Sequence, residues 1–135
     1  PGEIMNASGI VISVSATLVA LAALPAQAHH SFSAQYDRNQ EVALDGIITK
    51  VEWTNPHAHL YLAVTENDGT VTTWNLELAS PNMLIRNGWK RDSLETDDHV
   101  RLTASRSRDG SNTAAVVLIT RDDGSELTFI SGNDR

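Results

Sequence analysis

The chain has 135 residues, of which 41% are hydrophobic and 20% charged, and its formal net charge is −7. This length and composition are those of one ordinary domain. The absence of cysteine excludes a disulfide framework, a thiolate zinc site and a cysteine nucleophile. The excess of acidic over basic residues argues against nucleic acid or an anionic lipid surface as the main partner.

The N-terminal segment has the pattern of a secretory signal peptide. Its apolar run, residues 10–24, is shorter than the about 20 residues that a transmembrane helix needs. The run leads into the sequence PAQA at residues 25–28, which forms an A-x-A cleavage site. No Lys or Arg precedes Arg38, so the usual basic region is absent, and a buried helix or an uncleaved anchor is the alternative. We predict a signal peptide over residues 1–28, a folded domain over residues 29–135, and a periplasmic or secreted location.

The rest of the chain has the pattern of short strands separated by turns. A long first strand over residues 41–53 changes its apolar phase near Gly46, which predicts a bulge or sharp bend there. Strands over residues 58–66 and 71–79 flank a hairpin turn at residues 67–70. The later segments with a strand pattern are residues 99–105, 113–120 and 125–130.

One short helix is predicted between the third and fourth strands. Ser80 suits the N-cap, Pro81 suits the first helical position, and Gly88 suits the C-terminal end. The apolar residues expected to pack this helix against the sheet are Met83, Leu84 and Trp89.

The order of these elements predicts an all-β fold. Three strands, a short helix and then two or three strands are typical of a small antiparallel OB-like barrel of five or six strands. A flattened β-sandwich fits the strand count nearly as well. OB-like folds carry oligonucleotide, oligosaccharide and small-ligand sites, so the predicted fold does not by itself indicate a function.

Several short blocks resemble a family of small exported bacterial proteins of unknown function. The blocks are HHSF at residues 29–32, VEWTNPHA at residues 51–58, SPN at residues 80–82 and GW at residues 88–89. RDSL at residues 91–94 and DGSN at residues 109–112 fit the same pattern. The resemblance implies a periplasmic or secreted location and a single compact β-rich domain, and it implies no activity, catalytic residue or ligand.

Four of the five histidines form two clusters: His29 and His30 at the predicted mature N-terminus, and His57 and His59, two residues apart, where the turn at residues 54–57 leads into the second predicted strand. A terminal histidine offers its α-amine and Nδ1 to one metal ion, and a further imidazole would complete a set that favours Cu(II). Side chains two residues apart in a strand lie on one face. The alternatives are a solvated terminus, a turn histidine and a hydrogen-bonded strand histidine. The predicted metal ligands are His29, His30, His57 and His59, with Cu(II) as the candidate cofactor.

Polar and aromatic side chains are concentrated where the first predicted strand meets the second. Trp53 adjoins the turn at residues 54–57, where an exposed indole could stack on a planar ligand, and core packing is the alternative. Trp74 and Trp89 are expected in the core. The predicted ligand-binding residues are Trp53, Asn55, His57 and His59.

The sequence contains no recognisable catalytic motif. The carboxylates Asp45, Glu52 and Glu77 have no spacing that fixes an acid–base pair. No serine lies in a nucleophile elbow, and no phosphate loop or HExxH motif occurs. His99, which follows Asp97 and Asp98, is expected to belong to a charged turn.

These observations together predict a non-enzymatic, exported binding or interaction module. Its expected partner is a small ligand or an envelope protein, with neither nucleic acid binding nor stable membrane insertion after cleavage. The first alternative is a periplasmic copper-binding protein that uses the processed N-terminal histidine. The second is a purely structural envelope protein.

Overall fold

The computed structural model describes residues 33–128. The predicted signal peptide, the histidines His29 and His30, and residues 129–135 lie outside this range. The elements in chain order are β1 (Tyr36–Glu52), β2 (His59–Thr65), β3 (Val71–Glu77), α1 (Pro81–Arg86), β4 (His99–Ser107), β5 (Thr113–Arg121) and β6 (Glu126–Thr128).

The strands form a closed ring. The sheet order is β3-β2-β1-β4-β5-β6, and β3 also pairs with β5. This last pairing is parallel and joins Asn75 to Thr113 and Glu77 to Ala115. A five-stranded ring of this connectivity, with a helix between its third and fourth strands, is the OB arrangement. The predicted all-β, OB-like fold is therefore confirmed, and the flattened sandwich is not formed because the β3–β5 pairing closes the sheet.

The interior of the ring is filled by alternate side chains of each strand. Trp74 and Trp89 are buried, as predicted. Residues of the strands with no exposed surface include Leu60, Leu62, Leu76, Val100 and Ile119. Burial of one such side chain contributes about 1.5–3 kcal/mol to folding.

The first strand differs from its prediction at both its start and its bend. β1 begins at Tyr36, and its register with β2 shifts between Ile48 and Lys50 rather than near Gly46. Gly46 is buried, and a Cβ atom there would overlap the carbonyl oxygen of Ala63. A glycine within a strand marks either a bulge or the close approach of another backbone. Gly46 marks a close approach, that of β2, and the bulge lies later in β1 than the sequence pattern predicted.

The short helix α1 follows the predicted capping pattern. The Oγ atom of Ser80 accepts a hydrogen bond from the backbone N–H of Met83 at 3.4 Å. Leu84 is fully buried, but Met83 is 49% exposed, so the prediction that Met83 packs against the sheet was wrong. Consecutive helical side chains point about 100° apart, and so brief a helix turns only one narrow face inward. Within residues 33–128, no helix is long and apolar enough to cross a membrane.

His99 connects three strands instead of belonging to the charged turn that was predicted. Its Nε2 lies 2.7 Å from Oδ1 of Asp45 on β1, and its Nδ1 lies 2.6 Å from Oδ1 of Asp122, which follows β5. The neighbouring residues Asp97 and Asp98 bond through their backbones to Ile48. Hydrogen bonds to Asp122 and then to Asp45 raise the pKa of His99. We call this arrangement the His99 bridge.

The His99 bridge predicts a pH-dependent stability. Because the pKa of His99 is raised in the folded state, its contribution is fully present below about pH 6.5, the ordinary value, and is lost as the pH rises through the raised folded pKa. We expect His99→Gln to lower the melting temperature more at about pH 6 than at about pH 9. Thermal unfolding of both chains at the two pH values checks this. An equal loss at both pH values would show that the bridge does not depend on the imidazolium.

Candidate functional site

Two rows of polar side chains cross the outer face of β1, β2 and β3. Residues directly opposite each other on paired strands have Cβ atoms about 4.5–5.5 Å apart. The first row is Glu52, His59 and Glu77, and the second is Lys50, Tyr61 and Asn75. We call these six residues the polar face.

A largely buried carboxylate fixes the imidazole of His57, which lies just before β2. The Nδ1 atom of His57 is 2.9 Å from Oε1 of Glu77. The hydroxyl of Tyr36 donates to the other oxygen, Oε2, at 2.6 Å. Tyr36 is 1% exposed, the Glu77 side chain 14% and the His57 side chain 48%. Burial, together with the hydrogen bond to Glu77, raises the pKa of Tyr36, so its hydroxyl stays protonated. The His57 ring is therefore anchored through Nδ1, while about half of its side chain is exposed to solvent.

The imidazole of His59 is also anchored by a residue of β3, Asn75. Its Nδ1 lies 2.9 Å from Oδ1 of Asn75. Asn75 and Glu77 are two residues apart on β3, so the two imidazoles attach side by side to one strand. Among residues 33–128, no hydrogen-bond partner meets the Nε2 atom of either His57 or His59. The two histidines predicted as a pair from their spacing are thus bonded to two residues of the same strand.

The remaining side chains of the polar face are linked to one another. The hydroxyl of Tyr61 donates to Oε2 of Glu52 at 3.2 Å, and Lys50 forms an ion pair with Oε1 of the same carboxylate. The Lys50 ammonium also lies 5.4 Å from the centre of the Tyr61 ring. The hydrogen bond from Lys50 lowers the pKa of Glu52. The first row therefore has an anionic group beside His59.

The other two predicted ligand-binding residues lie at the edge of this arrangement. Trp53 is partly buried and packs against the core, and the Arg91 guanidinium lies 5.8 Å from the centre of its ring. Asn55 is exposed in the loop between β1 and β2. The structure thus places His59 on the polar face, His57 beside it in the loop before β2, Trp53 largely against the core, and Asn55 in the same loop.

Of the six residues of the polar face only His59 was predicted as a site residue, and Tyr36 behind Glu77 was missed as well. The two-residue alternation of β2 and β3 could have placed Asn75 and Glu77 on the face of His59. Nothing local could have found Tyr36, because it is 41 positions from Glu77 along the chain.

The predicted four-histidine metal set is not assembled within the described part of the chain. Residues 33–128 contain no group of three or more His, Asp or Glu side chains arranged to hold a metal ion. His29 and His30 lie outside this range. A metal ion at the polar face would therefore have two imidazoles from residues 33–128 as its protein ligands.

A separate groove of about 340 Å³ lies on the outer face of β1, β4 and β5. Its lining includes Ala43, Asp45, Arg101, Thr103, Leu118 and Thr120. None of the predicted site residues lines it, so the groove is distinct from the polar face.

Comparison with known proteins identifies a family and one similar structure. No curated protein matches the chain. Among solved structures, the chain is similar to the mitochondrial single-stranded DNA-binding protein Rim1 of S. cerevisiae, with 16% identity, a TM-score of 0.40, and coverage of 64% of this chain and 79% of that chain. A family model described as a family of unknown function matches residues 16–116. As the blocks in its sequence predicted, this chain belongs to a family of unknown function, DUF6152.

Proposed function

We propose that this chain is a non-enzymatic binding module, exported to the periplasm, and that its ligand surface is the polar face together with His57. One observation carries the proposal: hydrogen bonds to β3 hold two imidazoles at Nδ1, while neither Nε2 atom has a hydrogen-bond partner among residues 33–128. Groups that are fixed before a ligand arrives lose little conformational freedom on binding. Export is inferred from the apolar run and cleavage pattern of residues 1–28.

The position of the polar face within the ring favours a ligand site. OB-like folds bind ligands on the face of their second and third strands and on the loop between the first and second. The polar face is centred on β2 and β3, and Asn55 and His57 lie in that loop. A fold alone does not assign a function, whereas the hydrogen-bonded histidines indicate which ligand chemistry this surface suits.

The chemistry of the surface favours binding over catalysis. Within residues 33–128, no serine or threonine hydroxyl is hydrogen-bonded to the ring of His57 or His59. An imidazole–carboxylate pair activates a nucleophile only when one lies within hydrogen-bond reach. The carboxylates of Glu52 and Glu77 also disfavour a phosphate backbone, and we therefore propose a ligand other than nucleic acid.

Heteronuclear NMR of the purified chain tests the proposal with three probes: Zn²⁺, the uncharged sugar chitotriose and the polyamine spermidine. We expect at least one probe to shift the backbone amides of His59, Tyr61 and Asn75 while that of Thr103, on the other outer face, stays in place. His59→Ala should reduce these shifts, whereas the matched control Thr103→Ala should not. Shifts centred on the groove of β1, β4 and β5, or none with any probe, would contradict the proposal.

A further inference from the structure

We propose that His57 and His59 bind one divalent transition-metal ion, Zn²⁺ or Cu²⁺, through their Nε2 atoms. This inference rests on the proposed function, because it names the ligand class of the same surface. It differs from the chelate predicted at the mature N-terminus, because it requires neither His29 nor His30.

The hydrogen bonds of the two rings determine which nitrogen is available. A histidine binds a metal ion through an unprotonated ring nitrogen. A carboxylate accepts hydrogen bonds and does not donate them, so the Nδ1 atom of His57 carries the proton that faces Glu77. The amide oxygen of Asn75 also only accepts hydrogen bonds, so the Nδ1 atom of His59 carries a proton as well. In the neutral form of each ring the lone pair is therefore on Nε2, for which residues 33–128 provide no hydrogen-bond partner.

The groups behind the rings are those that orient metal-binding histidines. Such a histidine usually donates its other N–H to a carboxylate or a carbonyl oxygen, which fixes the ring and raises its basicity. Glu77 and Asn75 are a carboxylate and a carbonyl group in these positions. Tyr36 adds a further hydrogen bond to Glu77 from a side chain that is 1% exposed. Because burying polar groups is costly unless they are hydrogen-bonded, this arrangement fixes Glu77 behind His57.

The spacing and charge of the surface suit a single small cation. The two anchors are two residues apart on β3, which separates them by about 6.6 Å. His57 lies in a loop and its side chain is 48% exposed, so an ion can reach its ring from the solvent. Of the two carboxylates on either side of His59, Glu52 is already ion-paired with Lys50, and Glu77 carries the negative charge that favours a cation. Imidazole ligands suit zinc and copper, and water would complete the coordination.

Isothermal titration calorimetry of the purified chain with ZnCl₂ and with CuCl₂ tests this inference. We expect one ion per chain, and we expect His57→Ala and His59→Ala each to weaken binding at least about tenfold. The double variant His29→Ala/His30→Ala should retain binding, as should His99→Gln, the matched control for loss of an imidazole elsewhere. Loss of binding in the terminal double variant together with full binding in His57→Ala would overturn the inference.

The role of Glu77 as a positioning residue needs a readout other than affinity. In the metal-free chain, nitrogen NMR of the imidazoles should show Nδ1 as the protonated nitrogen in the neutral forms of His57 and His59, and Zn²⁺ should shift the Nε2 resonances. Glu77→Gln should weaken Zn²⁺ binding by about ten- to a hundredfold and alter the His57 ring resonances, while thermal unfolding confirms that the variant is folded. Protonation of His57 at Nε2 would overturn the inference. If chitotriose or spermidine binds the polar face and neither metal ion does, only this inference fails; if no probe binds, the proposed function fails as well.

Discussion

Gly46→Ala is expected to lower the free energy of unfolding by about 3 kcal/mol, although it adds a single methyl group. The added Cβ atom would overlap the backbone carbonyl oxygen of Ala63 and lie 3.1 Å from Cγ of Leu62. A side chain can rotate away from such an overlap, but the carbonyl group of Ala63 is part of the paired strand β2. β1 and β2 must therefore separate, which disturbs the ring at the start of the polar face.

Urea unfolding of Gly46→Ala and of the matched control Gly69→Ala checks this expectation. Gly69 has a φ of 84° and no atom within 4 Å of its added Cβ, so alanine there is destabilised only by its backbone conformation. We expect the control to lose about 1 kcal/mol. A smaller loss for Gly46→Ala than for Gly69→Ala would show that β2 can move away without penalty.

Leu76→Ala is expected to lower the free energy of unfolding by about 2–5 kcal/mol. Leu76 is fully buried on β3, paired with Leu60 of β2 on one side and with Ala114 of β5 on the other. Because strand pairing holds both neighbours in register, the space left by the side chain cannot collapse easily. The substitution therefore weakens the closure of the ring as well as the core.

The matched control for Leu76→Ala lies on the same strand. Val71 is 63% exposed, and we expect Val71→Ala to change the free energy of unfolding by no more than about 0.5 kcal/mol. Urea unfolding measures both variants. If the two variants lose the same stability, the β3–β5 junction is not the well-packed part of the core that its burial indicates.

Local patterns were sufficient to predict most of the fold. The alternation of β2 and β3 placed Leu60 and Trp74 inside the ring, and the capping pattern at Ser80 located α1. The early start of β1 could not be predicted, because several residues after Tyr36 are polar and exposed. Pairing with β4, which joins Tyr36 to Ser107, extends the strand. Such long-range pairing leaves little trace in a local sequence.

The candidate site, like the fold, could be predicted from the sequence only in part. The two-residue spacing of His57 and His59 was enough to propose the pair. The prediction that His99 belongs to a charged turn was wrong, because Asp97 and Asp98 are close to it in the sequence whereas Asp45 lies 54 positions away. Tyr36 was missed for the same reason. Residues that are far apart in the sequence and meet only in the folded chain cannot be paired from sequence spacing, because the strand topology brings them together.

Two residues of β3 take part both in the parallel pairing with β5 and in the candidate site. Asn75 and Glu77 close the ring through their backbones, and their side chains fix His59 and His57. The backbone N–H of Asn75 also bonds to the carbonyl oxygen of Asn112, 2.9 Å away, just before β5. Any local opening of this junction would release both imidazoles at once. Ligand binding to the polar face and the pairing of β3 with β5 are therefore thermodynamically linked. A ligand that binds more tightly when the two imidazoles are fixed also stabilises the β3–β5 pairing.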